Sequence, residues 1–165
     1  MIKLVAEMSL QELAAYVATH LKSRQLPVVL VGGSCVSIYS NNKYQTKDLD
    51  FVERYHNQRS LLRLALQDIG FIEQHRYFVH PDAHYFLEFP LGPLAVGDSP
   101  VNELNEVVTE TGVVTLLTAQ DCICDRLSAY TTGMTNNHYN KLFGSPWHIL
   151  LIWRMSNHGL SEKGC

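Results

Sequence analysis

Apolar residues at Leu10, Leu13, Ala14, Val17 and Leu21 recur at the spacing of one helix face, with polar residues between them. Ser9-Leu10-Gln11-Glu12 has the capping-box pattern, the serine accepting from the backbone and the glutamate reaching back. The spacing predicts an amphipathic helix from Ser9 to about Arg24, closed off by Pro27. The period then changes. Val28-Val29-Leu30-Val31 is an unbroken apolar run, which suits a strand covered on both faces. Gly32-Gly33-Ser34 interrupts it, Cys35 to Tyr39 reads as a short helix, and Asn41 to Gln45 as a polar loop. Thr46 leads into Asp48-Leu49-Asp50-Phe51-Val52, where polar and apolar positions alternate. One face of that strand carries the acids and the other takes Leu49 and Phe51 into the core.

Arg59 to Ile69 has a broad apolar face of leucines and predicts a further helix, with Gly70 where a left-handed stop belongs. Phe71 to Glu73, Tyr77 to Val79 and His84 to Phe89 read as strands, the last two separated by a turn at Pro81-Asp82. After the Pro90-Leu91-Gly92-Pro93 turn comes Leu94-Ala95-Val96. Glu106 to Thr109 and Val113 to Leu117 flank Glu110-Thr111-Gly112, a hairpin signal. Thr118-Ala119-Gln120-Asp121 repeats the capping pattern and opens a helix through Ile123, Leu127 and Tyr130. Asp125 and Arg126 within it read as structural polar positions.

A chain of 165 residues, 46% hydrophobic and 18% charged, is most simply one globular domain with a real core. A net charge of −3 makes no demand for nucleic acid. The longest late apolar run, Ile149 to Trp153, is too short to span a bilayer, and Glu7, Gln11 and Glu12 interrupt any secretory core at the start. A soluble, cytoplasmic protein with no membrane partner is expected. Cys35, Cys122, Cys124 and Cys165 have no framework spacing and read as reduced, mostly buried thiols. The histidines are scattered, and Pro81 keeps His80 and His84 off a common helix face, which argues against zinc.

The candidate chemistry lies between Val28 and Val52. Asp48 and Asp50, two apart on a strand, point to the same face and repel each other unless a cation sits between them. Their bland alternative is a solvated surface pair. Gly32 and Gly33 serve a sharp bend equally well with or without a ligand. Ser34 adds a hydroxyl able to cap the helix or donate to a phosphate, and backbone N–H groups at a helix start favour phosphate. Glu88, set among apolar neighbours, is either a strand-edge charge or a third metal ligand beside the aspartates. Lys43 and Lys47 read as solvated.

The V-G-G-S turn followed by D-L-D-F-V resembles the signature of the polymerase-beta-like nucleotidyltransferase superfamily. The resemblance runs from about Leu26 to Tyr130 and is nearest to the small bacterial enzymes, including the AbiEii-type toxins and the minimal nucleotidyltransferases. It implies an α+β fold with a mixed central sheet and helices packed against it. It also implies metal-dependent transfer of a nucleoside monophosphate from an NTP to a hydroxyl on RNA, protein or a small molecule. Carried over by position, Asp48, Asp50 and Glu88 would be catalytic and hold two Mg²⁺ ions, while Gly32, Gly33 and Ser34 would bind the nucleotide. A toxin or defence role, with an antitoxin protein as partner, is likewise implied. The competing reading is a catalytically impaired binding module on the same fold.

The resemblance assigns residues 1–130 to a catalytic domain. From Thr131 the sequence loses helical period where relatives of this kind continue in an amphipathic helix. The shifted reading frame accommodates Y-H-W-N-D-K-Q-S-L-Q-Q after Tyr130, and A-H-P-L-D-L-E-D-V beyond Trp147. Residues 131–165 are therefore read as an atypical, out-of-frame tail.

Overall fold

The computed structural model describes residues 3–54, 59–97 and 99–133, with side chains through residue 128. After a 3-10 turn at Val5–Glu7, helix α1 occupies Leu10–Ser23. Its start is a complete capping box: the Glu12 amide donates to Ser9 Oγ at 3.3 Å, and the Ser9 amide donates to Glu12 Oε2 at 2.8 Å. The face predicted from spacing is the buried one, with Leu10, Leu13, Ala14, Val17 and Leu21 all in the core. Ser9→Ala removes one of two reciprocal bonds and is expected to cost about 1 kcal/mol. Chemical denaturation should show that loss as a lower midpoint at unchanged slope; a midpoint equal to wild type would mean the box contributes nothing.

Strand β1 is Val28–Val31, α2 Gly32–Tyr39, β2 Asp48–Glu53 and α3 Arg59–Gln67. Strands β3 (Ile72–Gln74), β4 (Tyr77–Val79) and β5 (Phe86–Glu88) follow, then β6 (Ala95–Val96) and β7 (Ser99–Pro100). The hairpin β8 (Leu104–Thr109) and β9 (Gly112–Leu117) leads into α4, Ala119–Gly133. Gly70, at φ +84, stops the chain after α3 in the left-handed conformation expected there.

Seven strands form one mixed sheet in the order β3-β4-β5-β2-β1-β9-β8. β1 runs antiparallel to β2 and parallel to β9, and β2 runs parallel to β5. The apolar run predicted as a doubly covered strand is thus an interior one. Helix α1 packs on β9 and beside α3, while α2 packs on β2 and beside α4. Phe51, fully buried, stacks on Phe89 at 5.6 Å between ring centroids, and Phe78 meets Phe89 edge-on at 5.5 Å. These rings anchor the inner ends of the strands that carry the acids.

The structure departs from the expected elements in three places. Helix α2 begins at Gly32, because both glycines are already inside its first turn. The strand expected over residues 84–89 is trimmed to β5, since only Phe86–Glu88 pair with β2, and of these Leu87 and Glu88 pair with β4 as well. The small β6–β7 hairpin, too short for a periodic signal, was not expected. Cys35 and Cys122 are free and buried, but Cys124 is disulfide-bonded, against the expectation of four reduced thiols. The α4 backbone runs on through Thr131 and Thr132 to Gly133; the remainder of the segment read as out of frame lies outside the described residues. Among the described residues no helix is long and apolar enough to cross a membrane.

Candidate active site

Register places the acids. Asp50 in β2 pairs with Val31 at the end of β1 on one side and with Glu88 in β5 on the other. Asp48 lies two residues back on the same face, beside Phe86. Oxygen atoms of Asp48, Asp50 and Glu88 consequently lie within 4.8 Å of one another, each residue half-buried. The parallel β2–β5 pairing does what sequence spacing alone cannot: it brings an acid 38 residues downstream of Asp50 alongside it.

Three carboxylates so close cannot all ionise cheaply. Burial, then the charges of Asp48 and Glu88, push the Asp50 carboxyl up from 3.8 to about 7, with Arg126 pulling the other way. Thr46 donates its hydroxyl to Asp48, and Arg76 pairs with Glu88 at 3.5 Å. The Arg76 side chain is 69% exposed, so that rim pair offsets little of the negative charge. Hard oxygen donors with excess negative charge are the donor set that suits a divalent cation such as Mg²⁺. The residues present fit such an ion.

The glycine turn stands directly beside this cluster. Gly32 has φ +68, and a Cβ there would sit 2.3 Å from Asp50 Oδ2. Both backbone conformation and the neighbouring carboxylate therefore exclude a side chain. Gly33 is different: its φ is not positive and the nearest atoms to an added Cβ are those of the Tyr44 ring, at 3.4 Å. Gly32→Ala is expected to cost about 1–2 kcal/mol from the left-handed backbone alone and to displace Asp50, whereas Gly33→Ala is milder. Thermal melts of the two variants, with and without Mg²⁺, check this: equal melting points would remove the special role of Gly32.

Ser34 departs from expectation. It is fully buried and its hydroxyl donates to the Val31 carbonyl at 2.8 Å, so this donor serves the strand-to-helix junction. The residue capping α2 is Val31, which has no side-chain acceptor. No side chain caps the first turn of α2, and Gly32 and Gly33 of that turn line a cleft.

That cleft encloses about 740 Å³ and is lined by Gly32, Gly33, Asp48, Asp50 and Glu88. Asp125 and Arg126 on α4 also line it, as do Arg76, Tyr77 and Phe86. The reading of Asp125 and Arg126 as merely structural overlooked this placement. Both side chains are half-buried, and nothing in the sequence pattern marks them as lining a cleft. Lys43 and Lys47 are exposed and are not among the lining residues.

No protein-family model and no curated protein matches the sequence. Solved structures do. An antigenic nucleotidyltransferase-like protein from Paracoccidioides brasiliensis is similar with a TM-score of 0.61 at 14% identity, over 93% of this chain and 78% of that one. The solution structure of the antibiotic-resistance factor ANT(2'')-Ia is similar with a TM-score of 0.50, also at 14% identity, over 87% of this chain and 80% of that one. Identity so low speaks for architecture alone, and the architecture is clear: this chain has the α+β nucleotidyltransferase fold.

Proposed function

We propose that the protein is a metal-dependent nucleotidyltransferase that moves a nucleoside monophosphate from an NTP to a hydroxyl acceptor on RNA, protein or a small molecule. The observation that carries this reading is the convergence of Asp48, Asp50 and Glu88 within 4.8 Å, beside a glycine-led helix start, on a nucleotidyltransferase fold. In the reaction the acceptor oxygen bonds to the α-phosphorus, the α–β phosphate bond breaks, and pyrophosphate leaves.

Asp48, Asp50 and Glu88 would hold Mg²⁺, two ions by resemblance, whose positive charge offsets charge developing on the phosphoryl group. The protein's own groups divide the remaining work. The α2 amides at Gly32 and Gly33 orient phosphate oxygens, with Ser34 fixing the turn that presents them. Glu88, at the end of β5, accepts the proton of the acceptor hydroxyl. Phe51 and Phe89 behind the strands keep water from their inner side.

A toxin or defence role in the cytoplasm, with an antitoxin protein as partner, belongs to the same proposal and rests on the likeness to AbiEii-type and minimal nucleotidyltransferases. So does the division at about residue 130, with residues 131–165 an out-of-frame tail, which the nucleotide sequence across codons 128–132 tests directly. For the activity, the full chain is incubated with α-labelled NTPs and RNA, protein and metabolite fractions of a bacterial extract. Label passing to one fraction with Mg²⁺ and not with EDTA is the expected result. Absence of transfer from all four NTPs, together with absence of NTP binding, would overturn the reading.

A further inference from the structure

The loop between α2 and β2 brings one further side chain to the acids. Tyr44, Thr46, Asp48 and Asp50 are half-buried, while Gln45 and Lys47 between them are exposed. In extended chain that alternation sets Thr46 on the same face as the two aspartates. The backbone supports it, since the Phe86 amide donates to the Lys47 carbonyl at 3.1 Å, just ahead of the β2–β5 ladder. The loop is also pinned where it leaves α2. The Asn42 amide donates to the Ser37 carbonyl at 2.8 Å, and the Tyr44 amide donates to the buried Ser40 hydroxyl at 3.1 Å. Thr46 is held from both sides.

Its hydroxyl donates to Asp48 Oδ1. The same Oγ1 lies 3.6 Å from where a Cβ on Gly33 would stand, so it sits between the glycine turn and the acid. A β-branched side chain has little rotamer freedom, which keeps the donor aimed. The Arg76 pair on Glu88, at 3.5 Å from a side chain 69% exposed, is a looser restraint. A carboxylate with one oxygen held by a fixed donor keeps its plane. It then offers an ion one oxygen more readily than both. That distinction separates two ions. Mg²⁺ requires a near-ideal octahedron at about 2.0–2.1 Å, whereas Ca²⁺ takes more oxygens at about 2.3–2.6 Å and accepts bidentate carboxylates.

We propose that Thr46 is a positioning residue of the metal site, its hydroxyl holding Asp48 to a single-oxygen contact and so favouring Mg²⁺ over Ca²⁺. The inference rests on the metal-dependent nucleotidyl-transfer reading and deepens it by assigning the choice of ion to a residue outside the three acids. Thr46 acts through Asp48, as hydrogen-bond donors behind a metal ligand do. Turning both Asp48 oxygens to one ion breaks the Thr46 bond, a loss that bidentate Ca²⁺ binding incurs and single-oxygen Mg²⁺ binding does not.

The test uses the full chain without nucleotide. Mn²⁺ binding is followed by electron paramagnetic resonance, and Mg²⁺ and Ca²⁺ affinities are read from its displacement. Thr46→Val keeps the branched shape and removes the donor; Thr46→Ser keeps the donor. Thr46→Val is expected to weaken Mg²⁺ binding by about tenfold or more and Ca²⁺ binding by less than about twofold. Thr46→Ser should retain the wild-type ratio of Mg²⁺ to Ca²⁺ affinity. A purely structural threonine would lower the metal-free melting point of Thr46→Val and leave that ratio unmoved. A folded Thr46→Val with the wild-type ratio therefore overturns the proposal, as does an equal change in Thr46→Ser. Should Thr46→Val fail to fold, Thr46→Ala takes its place and the same ratio decides. Wild-type protein that binds none of the three ions overturns the metal-dependent reading itself, whereas wild-type binding with a ratio unaffected at Thr46 overturns only this assignment.

Discussion

Asp48→Ala and Asp50→Ala are each expected to lower nucleotidyl transfer by about a thousandfold or more, the equivalent of about 4 kcal/mol of transition-state stabilisation. The reason is geometric. Asp50 sits between Val31 and Glu88 in the sheet register, so its oxygens are central to the cluster, and Asp48 supplies the second acid on the same face. Losing either opens the donor set and leaves fewer carboxylates to hold a divalent ion against water. The side chains are half-buried at a cleft mouth, not in the apolar core, so the variants should fold. Labelled-NTP transfer, read beside circular dichroism, checks the point. A folded variant retaining a tenth of wild-type transfer would place the metal elsewhere.

The second large effect runs in the opposite direction. Asp50→Asn is expected to make the metal-free protein more stable at pH 8 and to leave it nearly unchanged at pH 4. The Asp50 carboxyl titrates near 7 when folded, against 3.8 in an ordinary environment. Below about pH 4 both states hold the proton and the substitution changes little. As pH rises from about 4 to 7 the unfolded chain releases its proton while the folded chain retains it, so folding becomes steadily less favourable. Above 7 the folded protein carries the uncompensated charge. The displacement corresponds to roughly 2–4 kcal/mol once solvent in the open cleft is allowed for. Mg²⁺ should reverse the order at pH 8, stabilising wild type and leaving Asp50→Asn behind. Melting points at the two pH values with and without Mg²⁺ are the measurement, and a pH-independent difference would contradict it.

Much of this site could be read from the chain, because its two halves are written in local patterns. Alternation over Asp48 to Val52 places two acids on one face whatever the fold, and an apolar run broken by two glycines marks a strand-to-helix turn. The nearest partner was less legible. Glu88 joins the aspartates only through the parallel pairing of β2 with β5, and parallel pairing leaves no signature in the strands it joins. Arg126 was hidden for another reason. Nothing in the spacing of its helix says that α4 packs against α2 beside the cleft. Ser34 shows what burial adds: sequence left its hydroxyl open to a cap or a phosphate, and in the fold the buried hydroxyl donates to the nearby Val31 carbonyl.

The pairing of β1 with β9 also sets an order of events. β1 gains its antiparallel neighbour β2 from within the next 22 residues, but its parallel neighbour only when Leu116 comes alongside Leu30. Until then the central strand of the acid-bearing half is an edge, with apolar side chains and unpaired amides available to other chains. Closing it demands contacts of long sequence separation, which form late and slowly. During synthesis the acidic β2 and the glycine turn emerge well before the hairpin that shields them. A ribosome-bound chain arrested before Leu117 is therefore the species that a chaperone would have to hold, and the one from which aggregates would start.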